Sequence, residues 1–176
     1  MAFINHTSGA LVPEKYRVPD NDNIIQVHSL RPPVMKLHYE MYVELMQRES
    51  PLSRIQREMV AVLISAINEC HYWLVHHSRG LAKLLESQGW DAGKIHKQIS
   101  LIGENFEEAE IGEAEKSMLR YAKKLTVQPS TVNSSDVVLL RQAGFDDVAI
   151  HDLCTVIGYF GFVNRIASGL GVELES

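Results

Sequence analysis

Cysteine is scarce in this chain of 176 residues, which contains only Cys70 and Cys154. Two thiols cannot form the set of disulfides that stabilises many small secreted domains, so a hydrophobic core must hold the fold together. Hydrophobic residues make up 45% of the chain, a value typical of globular proteins. We therefore expect a single domain over residues 1–176, with an irregular segment at 1–21, in the reducing cytoplasm.

Basic clusters and long apolar runs are also missing. The net charge is −5, and no block of Lys and Arg stands out, so neither nucleic acid nor an anionic membrane surface is an expected partner. The longest apolar run, roughly residues 59–67, is too short to span a bilayer. Residues 1–20 contain charged side chains and no apolar segment of the kind found in secretory signals. We expect no membrane association.

Almost every long segment has helical periodicity, and none alternates as a strand does. Ser53 and Gln56 predict a capping box at the start of a helix. Residues 55–68 are apolar on nearly all sides, which indicates a buried central helix. A second helix should follow over about residues 71–87 and end at Gly89. The pattern predicts an all-α fold, a bundle of six to eight helices.

Caps and turn residues give the other expected boundaries. We expect a loop at 103–112 and two helices with broad apolar faces, near residues 33–46 and 146–169. The remaining helices are predicted at about 23–29, 91–99, 113–126 and 137–143. The two apolar faces are predicted to consist of Val34, Leu37, Met41, Leu45 and Met46 on the earlier helix and of Val148, Leu153, Val156, Ile157, Phe160, Val163, Ile166 and Ala167 on the later one.

The segment from Glu58 to His77 contains the side chains best suited to chemistry. On a helix that starts near Cys70, positions 70, 73 and 77 share one face, so Cys70, Trp73 and His77 are predicted neighbours. If the preceding helix packs antiparallel to this one, Glu58 comes beside His77. A partly buried carboxylate next to an imidazole can relay a proton near neutral pH.

Each of these residues also has a purely structural interpretation. A lone cysteine is often a small buried residue, although a position at a helix N-terminus favours a thiolate. Glu58 could simply complement the helix dipole, and Trp73 could belong to the core. Cys154 is either an inert packing residue or a disulfide partner of Cys70, which requires Cα atoms within about 7 Å.

Metal binding by this segment is disfavoured. Cys70 could ligate zinc together with His71, His76 and His77, but His71 and His76 are five residues apart and do not share a helix face. No fourth ligand is evident, so we expect neither a metal nor another cofactor. His76 and His77 could equally lie on a solvated helix surface.

The run E-x11-C-x-Y-W-x2-H-H at residues 58–77 resembles the carboxymuconolactone decarboxylase superfamily, and within it the alkylhydroperoxidase D-like branch often called peroxidase-related proteins. The pattern of that branch is a Glu followed by N-x-C-x-Y-C-x-x-H-H. The resemblance continues through LRYAKKLTVQPSTV, LLRQAGFDD and FGFVNRIASGLGVEL. The matching residues are Glu58, Asn68, Cys70, Tyr72, His76 and His77.

The resemblance implies a helical bundle that forms a homo-oligomer, commonly a trimer or hexamer. It also implies that Glu58 and His77 relay a proton from an attacking thiol, which reduces a hydroperoxide. Cys70 would then resolve the sulfenic acid as a disulfide. Trp73 stands where the family has the attacking thiol, so Cys70 alone cannot complete this cycle.

Three hypotheses follow from this substitution. In the first, Cys70 is itself the peroxidatic thiol, activated by its helix terminus and the Glu58–His77 relay, and is resolved by an external thiol or by Cys154. Glu58 and His77 could instead perform acid–base chemistry without sulfur, as decarboxylase members of the superfamily do. In the third hypothesis the site is catalytically silent, and the bundle binds a small molecule or a partner.

Overall fold

The computed structural model describes residues 2–175, and this part of the chain contains eight α-helices and no strand. The all-α prediction is confirmed. Short 3-10 turns lie at Gly9–Leu11, Glu14–Tyr16, Val27–Leu30, Phe106–Glu108 and Pro129–Thr131. The helices are α1 (Asn23–Gln26), α2 (Pro32–Gln47), α3 (Arg54–Ile67), α4 (His71–Ser87), α5 (Ala92–Glu104), α6 (Glu113–Val127), α7 (Ser134–Gln142) and α8 (Asp147–Leu170).

The described chain forms two compact units. One comprises residues 49–164, with α3 to α7 and most of α8. The other combines the residues before 49 with those after 164. The expectation of a single domain stays a prediction.

The α3–α4 hairpin is the centre of the 49–164 unit. Ser53 and Gln56 form the predicted capping box, and every residue from 57 to 65 is buried. This burial follows mainly from the sequence, because α3 is apolar on nearly all sides and contacts α4, α5 and α6, although Arg57, Glu58 and Ser65 are buried with it. Glu69 has a φ of +52° in the tight turn before α4, and Gly89, with a φ of +84°, follows the end of α4.

The predicted end of α5 and the predicted loop after it are partly wrong. α5 continues to Glu104, and a 3-10 turn covers Phe106–Glu108. The fully buried side chain of Ile102 extends the apolar face of α5 by another turn. Gln98 also accepts a hydrogen bond from the backbone N–H of Glu110 at 2.9 Å, which fixes the following segment against α5.

The predicted apolar face of α2 is correct at the buried Met46 and wrong at Leu37 and Met41. Leu37 is 65% exposed and Met41 42% exposed, whereas Met35, His38 and Met46 are buried. His38, a polar residue outside the predicted stripe, packs its ring on that of His28 in the interior, so the buried face of α2 includes this side of the helix. On α8, Val148 is likewise exposed rather than part of the buried face.

α8 is long and apolar enough to cross a bilayer by length and composition, although no apolar run in the sequence suggested it. This is weak evidence, because the core helix of a soluble protein passes the same test. Several α8 residues indeed belong to the core, among them Leu153, Phe160 and Val163.

His28 and His38 form a buried pair in the unit outside residues 49–164. Their ring centroids are 4.8 Å apart and their planes nearly perpendicular. Burial lowers the pKa of His28. Burial, and secondly the charge of His28, lowers the pKa of His38 to about 4.

This pair predicts acid sensitivity. An unfolded histidine has a pKa of about 6.5, so the unfolded state binds more protons than the folded state between about pH 6.5 and 4. As the pH is lowered through that window, the free energy of unfolding should decrease by about 3 kcal/mol, because His38 is protonated more readily in the unfolded state. Urea unfolding of wild type and His38→Phe at pH 8, 6.5, 5 and 4 tests this, because phenylalanine cannot be protonated. Equal pH slopes for the two proteins would refute the assignment.

Candidate functional site

The α3–α4 hairpin places Glu58 directly against His77. Glu58 Oε2 lies 2.6 Å from His77 Nδ1, and both side chains are only 3% exposed. The antiparallel hairpin therefore brings together the two residues that the sequence pairs. A catalytic role for them stays a prediction at this point.

The hydrogen bond sets the chemistry of the imidazole. When Nδ1–H donates to the carboxylate, the neutral ring presents Nε2 as a proton acceptor. His77 Nε2 is buried and has no hydrogen-bond partner within residues 2–175. A buried polar atom without a partner is costly and is commonly retained for function. One ring nitrogen of His77 is therefore held by Glu58, and the other has no hydrogen-bond partner in the described chain.

Two arginines provide positive charge beside Glu58. Arg54 Nη2 lies 3.4 Å from Glu58 Oε1, so each carboxylate oxygen has a partner. Arg57 is buried nearby: burial and the charge of Arg54 lower its pKa, while Asp152 and Glu58 act in the opposite direction. Both arginines thus place positive charge close to the Glu58 carboxylate.

Trp73 covers the His77 imidazole. Their ring centroids are 5.3 Å apart and their planes differ by 19°, a stacked arrangement. The Trp73 indole N–H donates to the carbonyl oxygen of Val163 at 3.1 Å, and the edge of Phe160 contacts the His77 ring at 4.7 Å. The indole is therefore fixed against α8 as well as against the imidazole.

Tyr72 and His76 extend this aromatic cluster. The Tyr72 ring centroid is 5.3 Å from that of Trp73 and 4.4 Å from that of His76. Tyr72 is buried, whereas His76 is half-buried. Both motif residues thus line the same aromatic cluster as Trp73.

Cys70 is the N-cap residue of α4 and is buried. Its thiol contacts the carbonyl oxygen of Asn164 at 3.8 Å. His77 lies seven residues further along α4, a rise of roughly 10 Å. Trp73 stacks on His77, which agrees with the predicted group of three neighbours, whereas two helical turns separate the Cys70 thiol from the imidazole.

Asn164 is a residue that the sequence analysis missed. Its Oδ1 accepts from Asn68 Nδ2 at 3.1 Å, and its Nδ2 donates to Ser65 Oγ at 3.4 Å. These bonds fix the turn between α3 and α4 to α8. Its signal in the sequence is a lone amide within an apolar helix, since a buried amide needs partners. Arg54 was missed as well, although its position four residues before Glu58 predicts contact.

The proposed disulfide between Cys70 and Cys154 does not fit the structure. Both cysteines are free, and Cys154 contacts the Tyr121 hydroxyl at 3.1 Å. Cys154 precedes Asn164 by ten residues of α8, a rise of roughly 15 Å, while Cys70 lies beside Asn164. No disulfide bond therefore joins the two cysteines in this structure.

No group of three or more His, Cys, Asp or Glu side chains in residues 2–175 is arranged to hold a metal ion. His71 is exposed, whereas His77 is buried, so the histidines of the motif point in different directions. The candidate zinc ligands are thus not gathered at one point.

Comparison with known proteins finds a family match for part of the chain and a shared fold for most of it. Residues 32–90, which include α2, α3 and α4, match the carboxymuconolactone decarboxylase family. An uncharacterized peroxidase-related protein from Silicibacter sp. TM1040 is 28% identical, with a TM-score of 0.80 over 92% of this chain and 81% of its own. Part of the chain, residues 32–90, thus has the sequence pattern of the carboxymuconolactone decarboxylase family, and the chain has the AhpD-like fold.

Further solved structures share this AhpD-like fold. An uncharacterized peroxidase-related protein with an alkylhydroperoxidase AhpD core, from Ralstonia eutropha JMP134, is 24% identical with a TM-score of 0.85, over 99% of this chain and 93% of its own. A cysteine-to-alanine variant of the debrominase Bmp8, in complex with 2,3,4-tribromopyrrole, is 16% identical with a TM-score of 0.72, over 93% of this chain and 81% of its own. No protein with a curated function matches the sequence.

The Trp73 contacts predict unequal effects of two substitutions. Trp73→Phe keeps an aromatic ring on His77 and loses one hydrogen bond, so it should lower the free energy of unfolding by about 1 kcal/mol. Trp73→Ala also leaves a cavity and should cost about 3–5 kcal/mol. Urea unfolding measures both values. Equal, small costs would show that the indole is not packed as described.

Proposed function

We propose that this AhpD-like protein is an enzyme that transfers protons with the Glu58–His77 pair and does not need a dithiol. The buried, unpartnered Nε2 of His77 carries the proposal, because Glu58 holds the opposite nitrogen. An imidazole oriented by a carboxylate in this way is a typical general base.

The reaction class follows from these groups. His77 Nε2 removes a proton from a carbon atom next to a carbonyl group, and the resulting imidazolium returns that proton to another atom of the same substrate. Glu58 stabilises the imidazolium through the 2.6 Å hydrogen bond, and Arg54 lies 3.4 Å from the other carboxylate oxygen. A small carbonyl compound or lactone is the substrate class that suits such a step.

The position of Cys70 supports a sulfur-independent reaction. The thiol lies two turns of α4 from His77, and its contact is a backbone carbonyl rather than a base. Trp73, which stacks on His77, occupies the motif position from which a thiol could reach the imidazole directly. In this chain the proton relay and the remaining sulfur are therefore separate.

Solvent deuterium exchange into small 2-oxo acids and lactones, followed by NMR, tests the proposal. Glu58→Gln and His77→Ala should each lower the catalysed exchange by at least about 100-fold, whereas Cys70→Ser should leave it unchanged. His151→Ala, at an exposed histidine of α8, is the matched control. Loss of activity in Cys70→Ser equal to that in His77→Ala would contradict the proposal.

Thiol-dependent hydroperoxide reduction, an antioxidant peroxidase activity, is the second candidate. Its support is the position of Cys70 at the start of α4 and the 28% identity to a peroxidase-related protein. The Cys70 thiolate would attack the O–O bond, giving an alcohol and a sulfenic acid. One external thiol would then form a mixed disulfide and release water, and a second would regenerate Cys70.

Restoring the second thiol tests this candidate. Trp73→Cys recreates the C-x-x-C spacing one turn from His77, so reduction of cumene hydroperoxide with dithiothreitol should exceed the rates of both wild type and Trp73→Ser. Trp73→Ser is the matched control, because it removes the indole without adding sulfur. Circular dichroism verifies folding. Equal rates for the cysteine and serine variants would show that Glu58 and His77 do not activate a thiol at position 73.

We also propose that the protein is a cytoplasmic homo-oligomer, a trimer or hexamer, without nucleic-acid or membrane partners. The exposed Leu37 and Met41 on α2 support association between copies, since exposed apolar residues on one helix face favour an interface.

A catalytically silent, ligand-binding bundle is the conclusion to draw if neither the exchange assay nor the hydroperoxide assay detects turnover in wild type.

A further inference from the structure

Gly80 lies where α4 passes closest to the Glu58 carboxylate. A Cβ atom built on Gly80 would lie 3.0 Å from Glu58 Oε2, 3.2 Å from Cδ and 3.3 Å from Oε1. These distances are shorter than ordinary van der Waals contacts, so any side chain at position 80 would have to displace the carboxylate.

The carboxylate cannot move aside at low cost. The oxygen nearest to Gly80 is the same Oε2 that accepts from His77 Nδ1 at 2.6 Å. The other oxygen faces Arg54 at 3.4 Å, and Glu58 is only 2% exposed. Moving away from position 80 therefore means lengthening a buried, charge-assisted hydrogen bond.

The spacing on α4 explains why position 80 matters for His77. His77 and Gly80 are three residues apart and lie on the same face of the helix. Glu58 therefore contacts α4 at two adjacent positions. It accepts a hydrogen bond from the His77 imidazole, and it packs on the backbone at Gly80. Glycine is unfavourable within a helix relative to alanine, so its presence here has a cost that needs a reason.

We propose that Gly80 is a positioning residue. Because glycine has no side chain, the Glu58 carboxylate can pack directly against α4 at this position, within hydrogen-bond distance of His77 Nδ1. The importance of Gly80 for activity rests on the proposed function above, but the contact itself can be tested without a substrate. Failure of the contact test would therefore be distinct from failure of the proton-transfer assay.

The test compares alanine at Gly80 with alanine at Gly158, an exposed glycine in the middle of α8 with no atom within 4 Å of its built Cβ. Gly158→Ala gains helix propensity only and should raise Tm by about 2 °C. Gly80→Ala should give no such rise in the wild-type background. In Glu58→Ala, where the carboxylate is gone, Gly80→Ala should give the same rise as Gly158→Ala.

An imidazole proton resonance gives a second measurement that a purely structural role would not change. The Nδ1–H proton of His77, donated to Glu58, should resonate far downfield in wild type and Gly158→Ala, and should be lost in Glu58→Ala. Gly80→Ala should shift this resonance upfield or abolish it.

Two results would overturn the proposal. One is a Tm rise for Gly80→Ala equal to that for Gly158→Ala, with the downfield resonance unchanged. The other applies if Gly80→Ala does not fold. If the double variant Gly80→Ala, Glu58→Ala then does not fold either, the group that clashes with the alanine side chain is not the Glu58 carboxylate. A folded double variant would support the proposal.

Discussion

The short hydrogen bond between Glu58 and His77 is the constraint on which the candidate site depends. It joins two helices in the centre of the 49–164 unit, where both side chains are almost fully buried. A buried carboxylate requires partners, and its neighbours are arranged accordingly: Arg54 supplies charge and Gly80 supplies space. The same bond leaves Nε2 of the imidazole as the one reactive atom of the pair without a partner in the described chain.

The indole of Trp73 changes what this arrangement can do. In the motif of the alkylhydroperoxidase D-like branch, the position that corresponds to Trp73 is a cysteine, one helical turn before the position of His77. Here an aromatic ring stacks on the imidazole and donates its N–H to α8. The remaining thiol, Cys70, lies two turns away beside the backbone of Asn164. The chain thus keeps the Glu–His pair of the motif, while its remaining thiol lies two helical turns from the imidazole, and the proposed acid–base chemistry rests on this separation.

Much of this arrangement was predictable from local patterns. Ser53 and Gln56 fix the start of α3, the turn before His71 fixes the start of α4, and the antiparallel pairing then brings Glu58 to His77. Contacts that depend on tertiary packing were not predictable. The buried His38 turns the inner face of α2 in a direction that its polarity did not indicate, and Ile102 lengthens α5 through burial. The separation of Cys70 from Cys154 depends on where α8 meets the α3–α4 turn, which no local signal encodes.

The coupling free energy between Glu58 and His77 tests the central claim most directly. It is obtained from the free energies of unfolding of wild type, Glu58→Gln, His77→Phe and the double variant, measured at one pH above neutrality. A buried, charge-assisted hydrogen bond predicts a coupling of about 1–3 kcal/mol. A coupling below about 0.3 kcal/mol, the limit of additivity for independent sites, would contradict the claim that these two residues form the interacting pair at the centre of the site.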